Sequence, residues 1–190
     1  MKAIMMSIRP EWVAKILNGE KTIEIRKKFP KDYVGWVYIY CTKGKQLVDC
    51  PQWVENELSH QLWYDKDIAL LEGSQALLNG KVVARFWVDK VEEIYNKLIR
   101  EITNDYSSSE LPISTVAQMS CLTKEKLLDY VGDNGGYAIH ITKLEIFDKP
   151  KEIKEFVPYN IKQNHYKPFP TCDFRLTRAP ESWCYVEIGE

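Results

Sequence analysis

The stretch Gly19-Glu20-Lys21-Thr22-Ile23-Glu24-Ile25-Arg26 sets four charged residues beside three β-branched ones. From Lys21 to Lys27 the residues alternate, with Ile23 and Ile25 on one side and Thr22, Glu24 and Arg26 on the other, which is the period of a half-buried strand. Its charges therefore share one face. Immediately upstream, Val13, Ile16 and Leu17 recur at helical spacing within Pro10 to Asn18, and Trp12 extends their stripe. Pro10 suits the first turn of that helix, and Gly19 suits a left-handed cap at its end. Before the helix, the apolar run Ala3 to Ile8 predicts a buried strand.

Further out, Gly35 to Thr42 alternates again, with Trp36, Tyr38 and Tyr40 opposite Val37, Ile39 and Cys41. Lys81 to Asp89, Tyr137 to Phe147 and Ser182 to Ile188 each predict a strand. Pro51 to Leu58 suits a short helix, and Trp53, Leu62, Trp63 and Tyr64 suggest a packed excursion. Ile94, Tyr95, Leu98, Ile99 and Ile102 form a helical stripe up to Asn104, followed by a serine-rich loop from Tyr106 to Glu110. Thr123 can cap a helix with Leu127, Leu128 and Val131 facing inward and Gly132 closing it. A turn at Asp133 to Gly136 follows, and Lys149 to Pro180 reads as an ordered wrapping segment. These elements predict an α+β domain built on a small, mostly antiparallel β-barrel, with a helix between its first two strands.

At 190 residues, 45% apolar and 28% charged, the chain has the composition of an ordinary globular domain. Arg9 interrupts the N-terminal apolar run, and no later run reaches the length of a membrane span, so a cytoplasmic protein without membrane contact is expected. Five cysteines (Cys41, Cys50, Cys121, Cys172 and Cys184), with no C-x-x-C pair, argue against a disulfide framework and a structural zinc site. No metal or cofactor is expected. The net charge is −1, yet residues 1–45 hold ten lysines and arginines against four acids, a net of +6 that leaves −7 on the remainder. Such a segment can focus an anionic ligand onto one surface; chance segregation on a solvated surface is the plain alternative.

The motif at Gly19 to Arg26 matches G-x-K-x-x-E-x-R and resembles the signature of the ASCH domain, a branch of the PUA-like superfamily. Met6-Ser7-Ile8-Arg9-Pro10, Gly35 and Gly136-Tyr137-Ala138-Ile139 are similar to the same family, and Thr177 to Tyr185 resembles the ending of larger bacterial and phage members. The resemblance covers about 1–42, 80–90, 135–150 and 177–188. It implies a single domain over 1–190, with insertions at about 44–80, 92–134 and 150–178. It further implies a PUA-like barrel, a cleft beside the first helix, and a role in RNA binding or processing. Some small members are acetylcytidine amidohydrolases, and a ribonuclease is also described in the family.

If Thr22, Glu24 and Arg26 look into that cleft, they offer a hydroxyl, an acceptor and a fork of donors, a mixture suited to a nucleobase or nucleotide. Lys21 could hold a phosphate or oxyanion, with Arg9 adding charge. An aromatic stripe such as Trp36, Tyr38, Tyr40, Tyr137 and Trp183 is more often core than a stacking platform, and Trp36 and Tyr137 are the preferred exceptions. The expected partner is therefore RNA or a nucleoside or nucleotide. An enzyme at the same cleft would use Lys21 and Glu24, with His140 and His165 as candidate acids, each also at home as a packing histidine with one hydrogen bond. The amidohydrolase branch carries a threonine three residues after its lysine; here Glu24 stands at that position, so that set is incomplete. A solvated Glu24–Arg26 pair of no consequence, and a non-enzymatic protein-interaction module, complete the alternatives.

Overall fold

The computed structural model describes residues 1–49, 52–54, 57–64, 77–94, 111–159 and 175–187. These fall into two compact units, Met1–Asn18 with Gly35–Phe86 and Leu144–Glu190, and Gly19–Val34 with Trp87–Lys143. The fold is α+β, with three α-helices among the described residues.

The first unit is organised by β1 (Lys2–Ile8) and β3 (Gly35–Cys41), which pair in parallel with Ile4 opposite Val37 and Ile8 opposite Cys41. Parallel neighbours need a crossover, and the chain between them, starting with α1 (Pro10–Leu17), supplies it. On its other side β1 pairs antiparallel with β13 (Trp183–Glu187), Met5 opposite Cys184. With β8 (Val82–Val88), β11 (Thr142–Lys151) and β12 (Val157–Pro158), the sheet order is β11-β8-β3-β1-β13-β12. One face of its centre packs Ala3, Met5, Tyr38, Tyr40, Val82 and Val186 with Phe156. Ile4, Met6, Ile8, Val37, Ile39 and Cys41, which alternate onto the other face, are also buried. Apolar residues on both faces of β1 and β3 are what a central strand needs. Ser7 fastens the end of β1 by donating from Oγ to the Pro180 carbonyl and from its amide to the Ser182 carbonyl.

Within α1, Pro10, Val13, Ala14, Ile16 and Leu17 are buried and Trp12 is half-buried, as the helical stripe predicts. Asn18 ends the helix and Gly19 takes φ +74°, the left-handed conformation expected of it. The segment expected as a helix at 51–58 instead holds β5 (Gln52–Val54) paired with β6 (Glu57–Ser59), flanked by β4 (Leu47–Val48) paired with β7 (Leu62–Trp63). The carboxylate of fully buried Asp49 pins this arrangement, accepting from the Gln61 amide and the Trp63 indole. A tertiary contact of that kind overrides local propensity.

The second unit holds β2 (Ile23–Arg26), β10 (Gly136–His140) and β9 (Val91–Ile94) as an antiparallel sheet in the order β2-β10-β9. Its core combines Ile23, Ile25, Ile94 and Ala138 with Val116, Ala117, Leu127 and Val131 from α2 (Ile113–Met119) and α3 (Lys124–Val131). As expected, Thr123 caps α3 by accepting from the Lys126 amide, and Gly132 closes it with φ +62°. Gly136 is required by close approach, since a Cβ there would lie 2.8 Å from the Arg26 carbonyl oxygen.

Three further expectations are corrected. Ile94 ends a strand instead of starting a helix, and the remainder of that stripe, with the loop from Tyr106 to Glu110, lies outside the described residues. The single strand expected from Tyr137 to Phe147 is two, β10 and β11, broken where the Ile141 amide donates to the Thr22 carbonyl and Lys143 takes φ +44°. Among the described residues the strands divide between separate sheets, one containing a parallel pair, and do not close into the expected small barrel. No described helix is long and apolar enough to cross a membrane.

Candidate functional site

The alternation in β2 sends Ile23 and Ile25 into the core and leaves Glu24 and Arg26 on the opposite face. That face is not a solvated one: Lys21 is 3% exposed, Glu24 6% and the Arg26 side chain 12%. Lys21 Nζ lies 3.3 Å from Glu24 Oε2, and Arg26 Nη2 lies 3.1 Å from Glu24 Oε1. One carboxylate thus holds a cation on each oxygen, and the group carries a net charge of +1. Buried charges are sustained only when paired and hydrogen-bonded, and here Glu24 pairs with both cations.

The turn after α2 completes the arrangement. Lys21 Nζ donates to the Ser120 carbonyl at 2.9 Å, the Thr22 amide donates to the Met119 carbonyl at 2.9 Å, and Cys121 Sγ lies 3.4 Å from the Glu20 carbonyl oxygen. Fully buried Ser120 follows the last residue of α2, and Cys121, at φ +57°, turns the chain away. An ammonium against the carbonyls that end a helix is electrostatically favoured. Sequence reasoning missed α2 and so missed this clamp. The available signal was Pro112 ahead of Ile113, with Val116 and Ala117 three and four residues further on.

Tyr137 is the cross-strand neighbour of Arg26, and Glu93 is the neighbour of Tyr137 on the next strand, so these side chains share the motif face. Tyr137 is half-buried. Thr22 precedes β2 and is exposed, with both its backbone amide and carbonyl engaged. Downstream, Lys27, Lys28 and Lys31 are exposed, and Lys27 Nζ stands 5.4 Å from the centroid of the Tyr130 ring. Lys21, Glu24, Arg26 and Tyr137 are therefore brought together. Arg9 and Trp36 belong to the first unit: Arg9 is the exposed residue before α1, and Trp36 packs beside the aromatic core with the Arg85 guanidinium 4.1 Å over its ring.

His140 faces the core side of the three-stranded sheet, where its Nε2 lies 2.9 Å from Glu92 Oε2. Glu92 is buried and also meets Lys90. Burial alone would raise the Glu92 pKa, but the hydrogen bonds from Lys90 and His140 outweigh it and hold the carboxyl below its ordinary value. His165 lies outside the described residues. Among the described residues no cluster of histidine, cysteine and acidic side chains has the makings of a metal site.

No protein-family model matches the sequence, and no curated protein is similar to it. The chain is similar to the crystal structure of ASCH from Zymomonas mobilis, at 13% identity and a TM-score of 0.50, over 97% of this chain and 87% of that one. It is similar in the same degree to two mutants of that protein. A tyrosine-to-phenylalanine mutant matches at 13% identity and a TM-score of 0.50, covering 98% of this chain and 91% of that one. A serine-to-alanine mutant matches at 12% and 0.50, covering 97% and 88%. At such identities the likeness is one of fold, and the fold is of the ASCH type.

Proposed function

We propose that the motif face of the three-stranded sheet binds RNA or a modified nucleoside or nucleotide, and that the chain is a recognition module on one ASCH-type domain. The observation that carries this reading is the buried Lys21–Glu24–Arg26 group, with Tyr137 beside Arg26. Three charges removed from water on one short strand are a poor stabilising device, since a well-packed apolar trio is often as stable or more so. Two cations preorganised by one carboxylate, beside a phenol ring, suit a phosphate attached to a stackable base. In this reading Glu24 is the strut that fixes both cations, while Arg26 and Tyr137 meet the ligand. Lys27, Lys28 and Lys31 extend positive charge along a polyanion.

Fluorescence anisotropy with a labelled single-stranded RNA tests it. Arg26→Ala and Tyr137→Leu should each weaken binding, the latter by about 1–3 kcal/mol if one base stacks. Affinity should fall with salt, and removing one contacting lysine should flatten the slope by about 0.7. Binding that ignores both salt and these substitutions refutes it.

A second reading, catalysis on RNA or on a base modification at the same face, is favoured by the ammonium of Lys21 lying 3.3 Å from the carboxylate of Glu24. Such a pair can exchange a proton with a substrate. The amidohydrolase form of this chemistry lacks its hydroxyl, because Glu24 occupies the threonine position. Mass spectrometry of RNA and of an acetylcytidine-containing nucleoside pool, with the wild type and Lys21→Ala, separates the readings. Products lost in the variant establish an enzyme, and unchanged substrates leave a binding module.

A further inference from the structure

His60 lies between β6 and β7, is 6% exposed, and is tied to the residue that ends α1. Its amide donates to Asn18 Oδ1 at 2.8 Å, its carbonyl accepts from Asn18 Nδ2 at 3.1 Å, and its ring Nδ1 lies 3.3 Å from the same Oδ1. An amide oxygen only accepts, so the ring contact places the proton on Nδ1. Nε2 is then a bare lone pair, and it is buried with no hydrogen-bond partner among the described residues. A second ring proton can go only to Nε2, where it would create a buried cation whose N–H faces no acceptor among the described residues.

We propose that His60 is an acid-released latch: with its ring neutral it holds the segment between β6 and β7 onto the end of α1, and protonation frees that segment. Of the elements around it, α1 carries Glu11 and Lys15, β6 begins at Glu57, β4 runs into Asp49, and β7 carries no charge. Asp49 is the one whose charge acts on the ring, and it opposes release. Its carboxylate is already occupied by the Gln61 amide and the Trp63 indole. Burial dominates over this attraction and lowers the ring's pKa from the ordinary 6.5.

A folded-state value below that of the released ring fixes the sign. The latch is intact above about pH 6.5, and the open population grows about tenfold per pH unit below it until the closed ring itself titrates. Asn18 is also the residue before Gly19, so the latch acts on the chain leading directly into the charged motif.

Hydrogen exchange of the His60 and Gln61 amides, corrected for intrinsic rates, should show a loss of protection between pH 7.5 and 5.5 whose upper limit is about tenfold. His60→Asn keeps a donor for Asn18 but does not titrate, and should give the same protection at both values. Unchanged protection in the wild type, or an equal loss in the variant, overturns the latch. If His60→Asn does not fold, the NMR titration of the His60 ring in the wild type decides: a midpoint below 6.5 supports the latch, and one at or above 6.5 overturns it.

Discussion

Replacing Glu24 with glutamine removes one charge while nearly preserving shape, and it takes from two cations the carboxylate they share. With Lys21 at 3.3 Å and Arg26 at 3.1 Å, each contact is worth roughly 5 kcal/mol gross at an effective dielectric near 20. Desolvation of three charges cancels most of that in the intact group. In the variant the two cations keep their desolvation cost, lose the Glu24 charge and repel each other. The expected loss is about 3–5 kcal/mol, the range for breaking one side of a buried pair. In a chain of this size that lowers the melting temperature by about 6–20 °C. Urea unfolding followed by circular dichroism and tryptophan fluorescence measures it. Adding Lys21→Met to Glu24→Gln should recover part of the loss, because it removes one of the two mutually repelling cations and leaves an apolar stem of similar length. A loss under about 1 kcal/mol, the range of exposed pairs, would refute the claim that this group is desolvated. No recovery in the double variant would refute the claim that repulsion between the two cations is the cause.

Gly136→Ala should cost about 1–3 kcal/mol, because its Cβ would meet the Arg26 oxygen at 2.8 Å and Val131 Cγ1 at 2.9 Å. Gly19→Ala has nothing within 4 Å and pays only for φ +74°, about 1–2 kcal/mol; a urea midpoint showing that Gly136→Ala costs well under about 1 kcal/mol would contradict the close approach. Burial pushes the Cys41 thiol up to about 12, so at pH 8 a thiol reagent should modify half-exposed Cys121 first and Cys41 only on unfolding; equal rates by peptide mapping would overturn this. Glu92 is held below its ordinary 4.5, so its stabilisation is present above that pH and is lost as pH falls through the folded value. The stability gap between wild type and His140→Ala should accordingly close from pH 6 to pH 3, and a constant gap would argue against the Glu92 link.

The strands legible in the sequence were those whose surroundings are uniform along their length. In β2 one face meets a helix-built core, and Ile23 and Ile25 announce it; in β1 and β3 both faces are buried, and the runs are continuously apolar. The motif residues Lys21, Glu24 and Arg26 were found because charge on a short alternating strand is conspicuous, but their burial was not visible, since it depends on distant chain. The Ser120 carbonyl, 99 positions from Lys21, leaves no trace in side-chain pattern because it is a backbone group. The same reason hid the break at Ile141, which is made by a hydrogen bond to the Thr22 carbonyl within a run that reads as one strand. The segment holding β5 and β6 reads as a helix because the Asp49 carboxylate, which fixes the returning chain at Gln61 and Trp63, lies outside it.

The position of β1 between β3 and β13 bears on how the chain reaches this structure during synthesis. Met5 pairs with Tyr38 on one side and with Cys184 on the other, so half of its ladder waits for a strand synthesised some 180 residues later. Until then an apolar strand has one open edge, the condition that favours mispairing between nascent chains. Closing a ladder across some 180 residues is also slow compared with local pairing. Translation pauses or chaperone holding that delay release past Glu187 should therefore raise the yield of folded protein more than any stabilisation of the early-formed α1.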